Sequence, residues 1–148
     1  MPKSLHHHAN LLVGKPEEAE SYLNLLCDDL GVKLANNPDF FAFRTDTFGI
    51  DEARQLRLLS SRKAVTGQKI FFISSIRLTL EAQNALLKTF EDPSHNTTFF
   101  IVTREETLIV PTLLSRMQTI YVGHGGNASV PASVYMEAGK FLSSSLKD

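Results

Sequence analysis

The sequence predicts an α/β fold: a five-stranded parallel sheet between helices, in three α/β/α layers. Strand-like runs alternate with helical patterns five times, opening near Asn10, Asp39, Lys69, Thr98 and Gln118. Two of the runs, Ile70–Ile73 and Thr97–Val102, are apolar or β-branched without alternation, as strands covered on both faces are. Continuous strands joined by helices imply a parallel sheet with right-handed crossovers and helices on both faces.

Met1–His8 is polar, and a loosely held terminus is expected there. Three consecutive histidines, His6, His7 and His8, cannot all face one ion from a regular element. By composition they fit a terminal tract or tag remnant. Asn10–Val13 is the first strand, and Gly14-Lys15-Pro16 turns the chain into a helix. Pro16 suits the first helical position, and Glu17, Glu18 and Glu20 suit the positive end of the helix dipole. Ala19, Tyr22, Leu23, Leu26 and Leu30 form the inward face, and Gly31 ends the helix. Cys27 lies within it, as a buried structural thiol.

The joint at Gly14 carries the most functional information in this half. A phosphate-binding loop of the form Gly-x4-Gly-Lys-Ser/Thr needs amides that cradle the phosphates. It also needs a lysine that neutralises them and a hydroxyl that holds magnesium. Here two residues, Gly14 and Lys15, separate strand from helix, and no Ser or Thr follows Lys15. Pro16 removes a donor where one is required. The pair is either a remnant of such a loop or a tight turn, and neither form holds ATP.

Pro38–Thr45, with Phe40, Phe41 and Phe43, is the second strand, bracketed by Asp39 and Asp46. Asp46-Thr47-Phe48-Gly49 is expected as a polar connection, with Asp51 capping a helix to about Arg62. Ala53, Leu56 and Leu59 face inward, while Arg54, Arg57, Arg62 and Lys63 line the other side. That basic side is either a solvated face or a contact for a DNA backbone within a larger assembly. No aromatic residue interleaves it to stack bases. Gln68–Ser74 is the third strand. ATP-using proteins of this type end that strand in acids that hold magnesium and polarise water. Here Ser74 and Ser75 stand in that place, and neutral hydroxyls cannot supply the charge. Two absences, loop and carboxylate, predict a chain that does not hydrolyse ATP.

Thr79–Val122 is the best-patterned stretch. Thr79 is a good N-cap, Ala82, Ala85, Leu86, Thr89 and Phe90 form one helical face, and Pro93 stops the helix. The strand Thr97–Val102 follows, then a helix expected over about Glu105–Leu114, then the strand Gln118–Val122.

Three motifs in this stretch, Asn84-Ala-Leu-Leu-Lys-Thr-Phe-Glu-Asp-Pro93, Thr103 after a buried strand, and Pro111-Thr-Leu-Leu-Ser-Arg116, occur in order and spacing. They make the chain resemble the bacterial clamp-loader subunits, AAA+ proteins of the DNA polymerase III complex, most closely the delta-prime kind. The resemblance covers about Leu11 to Val122. It implies the strand order 5-1-4-3-2 and a sensor position at Thr103, for which a structural hydroxyl is the alternative. It also implies an arginine finger, Arg116 with Ser115, aimed at a neighbouring subunit's ATP. A Ser-Arg-Cys motif is expected there, and Met117 replaces its cysteine. A surface arginine meeting the carbonyls at the end of the preceding helix is the alternative for Arg116. The family's four-cysteine zinc module is missing. The implied partners are the ATPase and delta-type subunits, with the sliding clamp a further candidate and DNA met only inside the assembly.

The implied domains are an AAA+-like unit over residues 1–122 and, over 123–148, a linker with the start of a helical lid. Gly123–Ala128 is the linker and Val130–Leu146 the first lid-like helix. Composition bounds the function from another side. At 148 residues, 43% hydrophobic and 21% charged, the chain suits one globular domain. A net charge of −1 gives no field for gripping nucleic acid unaided. One cysteine excludes an internal disulfide and a cysteine-rich zinc site, and no apolar run is long enough to span a bilayer. No cofactor or metal is expected, and a reduced cytoplasmic compartment is. Besides an ATP-silent clamp-loader subunit, two readings remain: a stand-alone interaction module, and a nucleotide-binding enzyme with an unusual loop.

Overall fold

The structure is a computed structural model that describes residues 7–94 and 96–123. Five strands, β1 (Ala9–Val13), β2 (Phe40–Phe48), β3 (Lys69–Leu78), β4 (Thr97–Thr103) and β5 (Gln118–Tyr121), form one sheet. Its order is β2-β3-β4-β1-β5, all parallel, the order the resemblance implies. Helix α1 (Pro16–Leu30) packs Ala19, Tyr22, Leu23 and Cys27 against Leu12, Ile70, Phe72, Phe100 and Ile120 on one face. Helices α2 (Ile50–Ser60), α3 (Leu80–Glu91) and the single turn α4 (Pro111–Leu114) cover the other. On that side Phe41, Phe71 and Phe99 stack in a row across β2, β3 and β4, with centroids 4.8 and 5.1 Å apart, and Phe90 of α3 closes it. β4 is buried at every position, as an unalternating apolar strand must be in the middle of such a sheet.

The helix ends follow local chemistry. Pro16 occupies the first turn of α1, and Gly31 ends it at φ 76°, with Val32 N–H reaching back to the Cys27 carbonyl. Thr79 caps α3 through its hydroxyl, which accepts from Ala82 N–H at 3.1 Å.

Several expectations need correction. The helix expected over Glu105–Leu114 is a 3₁₀ turn, Glu106–Leu108, then extended Ile109 and Val110, then α4. The ring of Pro111 disfavours the helical conformation at Val110, so the turn cannot propagate through it. Asp46–Phe48 is strand, not connection: Phe48 is fully buried and β2 runs on to it. Gly49, not Asp51, is the N-cap of α2, and Glu52 reaches back to the Gly49 N–H at 2.9 Å. β3 does not end at Ser74 but continues to Leu78, paired with the extended β2. His7 and His8 are not loosely held. The His8 carbonyl accepts from Phe99 N–H at 2.7 Å, its Nε2 lies 3.0 Å from the Phe90 carbonyl, and the two rings stack. The helix expected over Val130–Leu146 and most of the linker lie outside the described residues. Among the described residues, no helix is long and apolar enough to cross a membrane, and no cluster of ligating side chains could hold a metal.

Candidate functional site

In an open parallel sheet, ligands sit at the carboxyl ends of the strands, where strand order reverses. Gly14, Ser74 and Thr103 do meet at that edge. Val13 and Thr103 are register partners, Ser74 pairs with Val102, and Gly14 N–H donates to the Thr103 carbonyl at 2.9 Å.

The donors of the turn that leads into α1 are engaged within the chain. Lys15 N–H donates to Glu18 Oε1 at 2.9 Å, Gly14 N–H is held by Thr103, and Pro16 has none. The Glu18 carboxylate lies over this turn: a Cβ added at Gly123 would sit 2.6 Å from its Oε1. A Cβ at Gly14, whose φ is +156°, would sit 2.7 Å from Val122 Cγ2. An anionic side chain and the exit of β5 therefore fill the space before the helix, where a phosphate would need bare amides. Lys15 itself is exposed.

Thr103 is buried, and its hydroxyl donates to the Glu105 carbonyl at 2.9 Å. Ser74 and Ser75 are partly buried within β3. The register partner of Ser74 is Arg44, which donates twice to Glu20 of α1, at 2.8 and 3.0 Å, and lies over the Phe72 ring. The local charge here is cationic and already neutralised, opposite to what a magnesium site requires. A cavity of about 180 Å³ lies on the α1 side of the Glu20–Arg44 pair, lined by Leu23, Asn24, Leu34 and Phe40 with Glu20 and Arg44.

Arg116 is not brought to these residues. It precedes β5, whose Gln118 pairs with Asn10 at the amino edge of the sheet. Gly14 lies on the order of 15 Å away along the strand direction. The Arg116 N–H takes the Leu113 carbonyl, and its guanidinium pairs with Glu91 at 3.0 Å rather than with helix-end carbonyls. Both partners are about half exposed, 51% and 43%. Buried Leu113 and Met117 anchor the backbone on either side, and Ser115 Oγ donates to the Thr112 carbonyl at 2.9 Å. The side chain is thus presented at the surface from a fixed base.

A sequence profile of the family described as DNA polymerase III, delta subunit, matches residues 6–124. The chain belongs to that family. The match takes in His7 and His8, and His8 packs on the domain through its contact with the Phe90 carbonyl. Similar proteins within the family include the DNA polymerase III subunit delta' of Escherichia coli. It is 31% identical over 97 residues, which cover 62% of this chain and 29% of that protein. The subunit delta' of Bacillus subtilis is 31% identical over 114 residues, covering 74% of this chain and 33% of that protein. The chain thus spans about a third of the length of these curated relatives. A crystal structure of a DNA polymerase III gamma-subunit-related protein from Thermotoga maritima superposes with a TM-score of 0.65 at 19% identity. It covers 82% of this chain and 43% of that one, a likeness of fold alone. The delta-prime resemblance carried by Asn84–Pro93 and Pro111–Arg116 is borne out.

Two residues of this region carry roles that periodicity does not announce. Glu18 caps the head of α1 from one side only: its carboxylate accepts from the N-cap amide of Lys15, and the lysine side chain has no acceptor to return. Gln83, 4% exposed, lies within the α3 pattern, yet it donates to the Leu78 and Leu108 carbonyls and accepts from Val110 N–H. It fixes the carboxyl-edge loop that leads to α4 and Arg116.

Proposed function

We propose that this chain is an ATP-silent clamp-loader subunit of the delta-prime kind. It neither holds nor hydrolyses nucleotide and offers Arg116 to the ATP of an adjacent subunit. The observation that carries this reading is the occupied turn before α1, with the Glu18 carboxylate lying over it. Gly14 N–H is taken by Thr103, Lys15 N–H by Glu18, and Pro16 has no donor to give. An anion arriving there would meet a carboxylate instead of amides. Thr103 then serves as a structural hydroxyl, and Gly14-Lys15 as a tight turn. Arg116, at the opposite edge, has no route to a nucleotide in its own crevice. Its exposed pair with Glu91 is worth about 0–1 kcal/mol, so a neighbour's γ-phosphate can displace it. A planar cation there stabilises charge on the transferring phosphoryl group. The expected setting is cytoplasmic, beside ATPase and delta-type subunits that together place the sliding clamp on primed DNA.

Mixing the chain with the ATPase subunits tests this. Hydrolysis stimulated by primed DNA is expected to fall at least about tenfold with Arg116→Ala. Equal rates for both forms would remove the finger and favour a stand-alone interaction module. Micromolar binding of labelled ATP to the chain alone would instead overturn the silent site.

A further inference from the structure

Two buried charges hold the turn between α2 and β3. Lys69, 2% exposed, opens β3 and turns its Nζ onto the carbonyls of Leu59 at 3.1 Å, Ser60 at 2.5 Å and Arg62. They lie at and just past the end of α2, where carbonyls lack an i+4 helical amide; the Leu59 carbonyl also accepts from the Arg62 N–H at 3.3 Å. Asp39, also 2% exposed, receives Val65 N–H at 2.9 Å, Thr66 N–H at 2.5 Å and the Thr66 hydroxyl at 2.6 Å. Water could satisfy a surface loop without the desolvation cost of two buried ions. The arrangement favours one conformation of residues 61–68 over a merely solvated one.

What that conformation presents is Val65, 74% exposed, beside exposed Arg62 and Lys63. α2 extends the same surface. Opposite its buried Ala53, Leu56 and Ser60 stand Arg54, Arg57 and Leu58, the last 57% exposed. Arg54, Leu58 and Arg62 fall at i, i+4 and i+8, one row along the helix and just past its end. Among the described residues, the carboxylate within 4 Å of this group is Asp51, 3.8 Å from Arg54.

We propose that Arg54, Arg57, Leu58, Arg62, Lys63 and Val65 form a docking surface for an acidic protein segment that carries apolar side chains. Four cations on a chain of net charge −1 select an anionic partner. Leu58 and Val65, exposed among them, select protein over a nucleic-acid backbone, which presents phosphate and sugar but no apolar pocket. The surface lies at the β2–β3 end of the sheet, away from β5 and Arg116, so it is independent of the trans-acting arginine.

Fluorescence anisotropy on the full chain tests it with three probes at equal salt. They are a short Asp/Glu peptide interspersed with Leu and Phe, the same peptide with Ser at those positions, and a short DNA duplex. The apolar acidic peptide is expected to bind about tenfold tighter than its Ser counterpart. Leu58→Ser with Val65→Ser is expected to erase that difference. Arg57→Glu with Lys63→Glu is expected to weaken binding about tenfold or more. Slow amide exchange at Val65 and Thr66 in the unmodified protein is the accompanying expectation. Equal binding of the two peptides, binding of neither, or rapid exchange at both amides overturns the proposal. Duplex DNA bound as tightly as the apolar peptide, and indifferent to Leu58→Ser, overturns it in favour of a phosphate site.

Discussion

A single carboxylate at the head of α1, Glu18, sets what the preceding turn can accept, and Gly14 makes that turn possible. Gly14→Ala would place a Cβ against Val122 Cγ2 at a backbone angle that L side chains rarely adopt. It is expected to cost about 1–3 kcal/mol of stability, read as a lower urea midpoint at unchanged slope. Cys27 is governed by burial in the same way. Burial, with Asp28 adding, pushes its thiol up to about 11, so at pH 8 only about one molecule in a thousand carries the reactive thiolate. A thiol reagent at that pH is expected to react only as denaturant opens the domain. Rapid reaction of the native protein would contradict the packing of α1. Gly14, Lys15 and Ser74 could be named in advance because phosphate loops and magnesium-holding carboxylates have fixed chemical requirements, whereas Thr103 and Arg116 are named through the family resemblance. Glu18 could not be named in advance, since its role depends on where its oxygen lands relative to Val122 and Gly123 and not on its spacing.

Among the elements, α3 illustrates what sequence alone conveys well. Its cap, its apolar face and its stop at Pro93 are all local, and the structure repeats them from Thr79 to Glu91. Thr79→Ala is expected to lower stability by about 1 kcal/mol, whereas Thr79→Ser stays within a few tenths. Equal loss in both would mean that the methyl group matters, not the hydroxyl bond to Ala82 N–H. The segment after β4 was legible only in part. Its apolar residues fit a helix, but Ile109 and Val110 are extended ahead of Pro111, and Gln83 satisfies the backbone there from another helix. The overlong β2 and β3 were hidden for a related reason. Residues such as Asp46, Thr47 and Ser75 look like connection until the partner strand is known, because the pairing that makes them strand is tertiary.

For the whole molecule, the strand alternation and apolar runs foretold the parallel sheet, and the family resemblance its order, but not the two charges buried at the amino edge. Burial alone would raise the Asp39 carboxyl. The Thr66 hydroxyl and the amides of Val65 and Thr66, helped by Lys69, hold it below the ordinary carboxylate range. Lys69 is lowered by burial, with Asp39 opposing. A depressed carboxyl stabilises the fold above its unfolded value of about 3.9 and loses that contribution as pH falls through its folded value. The domain is therefore expected to lose stability below about pH 4 more steeply than Asp39→Asn. At pH 7 the variant should unfold about 1–3 kcal/mol more easily. Parallel pH profiles for the two proteins would mean that the loop is held by something else.

The place of β1 has a consequence for biosynthesis. Of the described strands β1 is made first, and among them it pairs with β4 and β5, whose residues are made some 90 to 110 positions later. Until Thr97 and its neighbours emerge, Leu11 and Leu12 have no ladder to join, and nascent chains stalled before that point should remain protease-sensitive and prone to capture by chaperones.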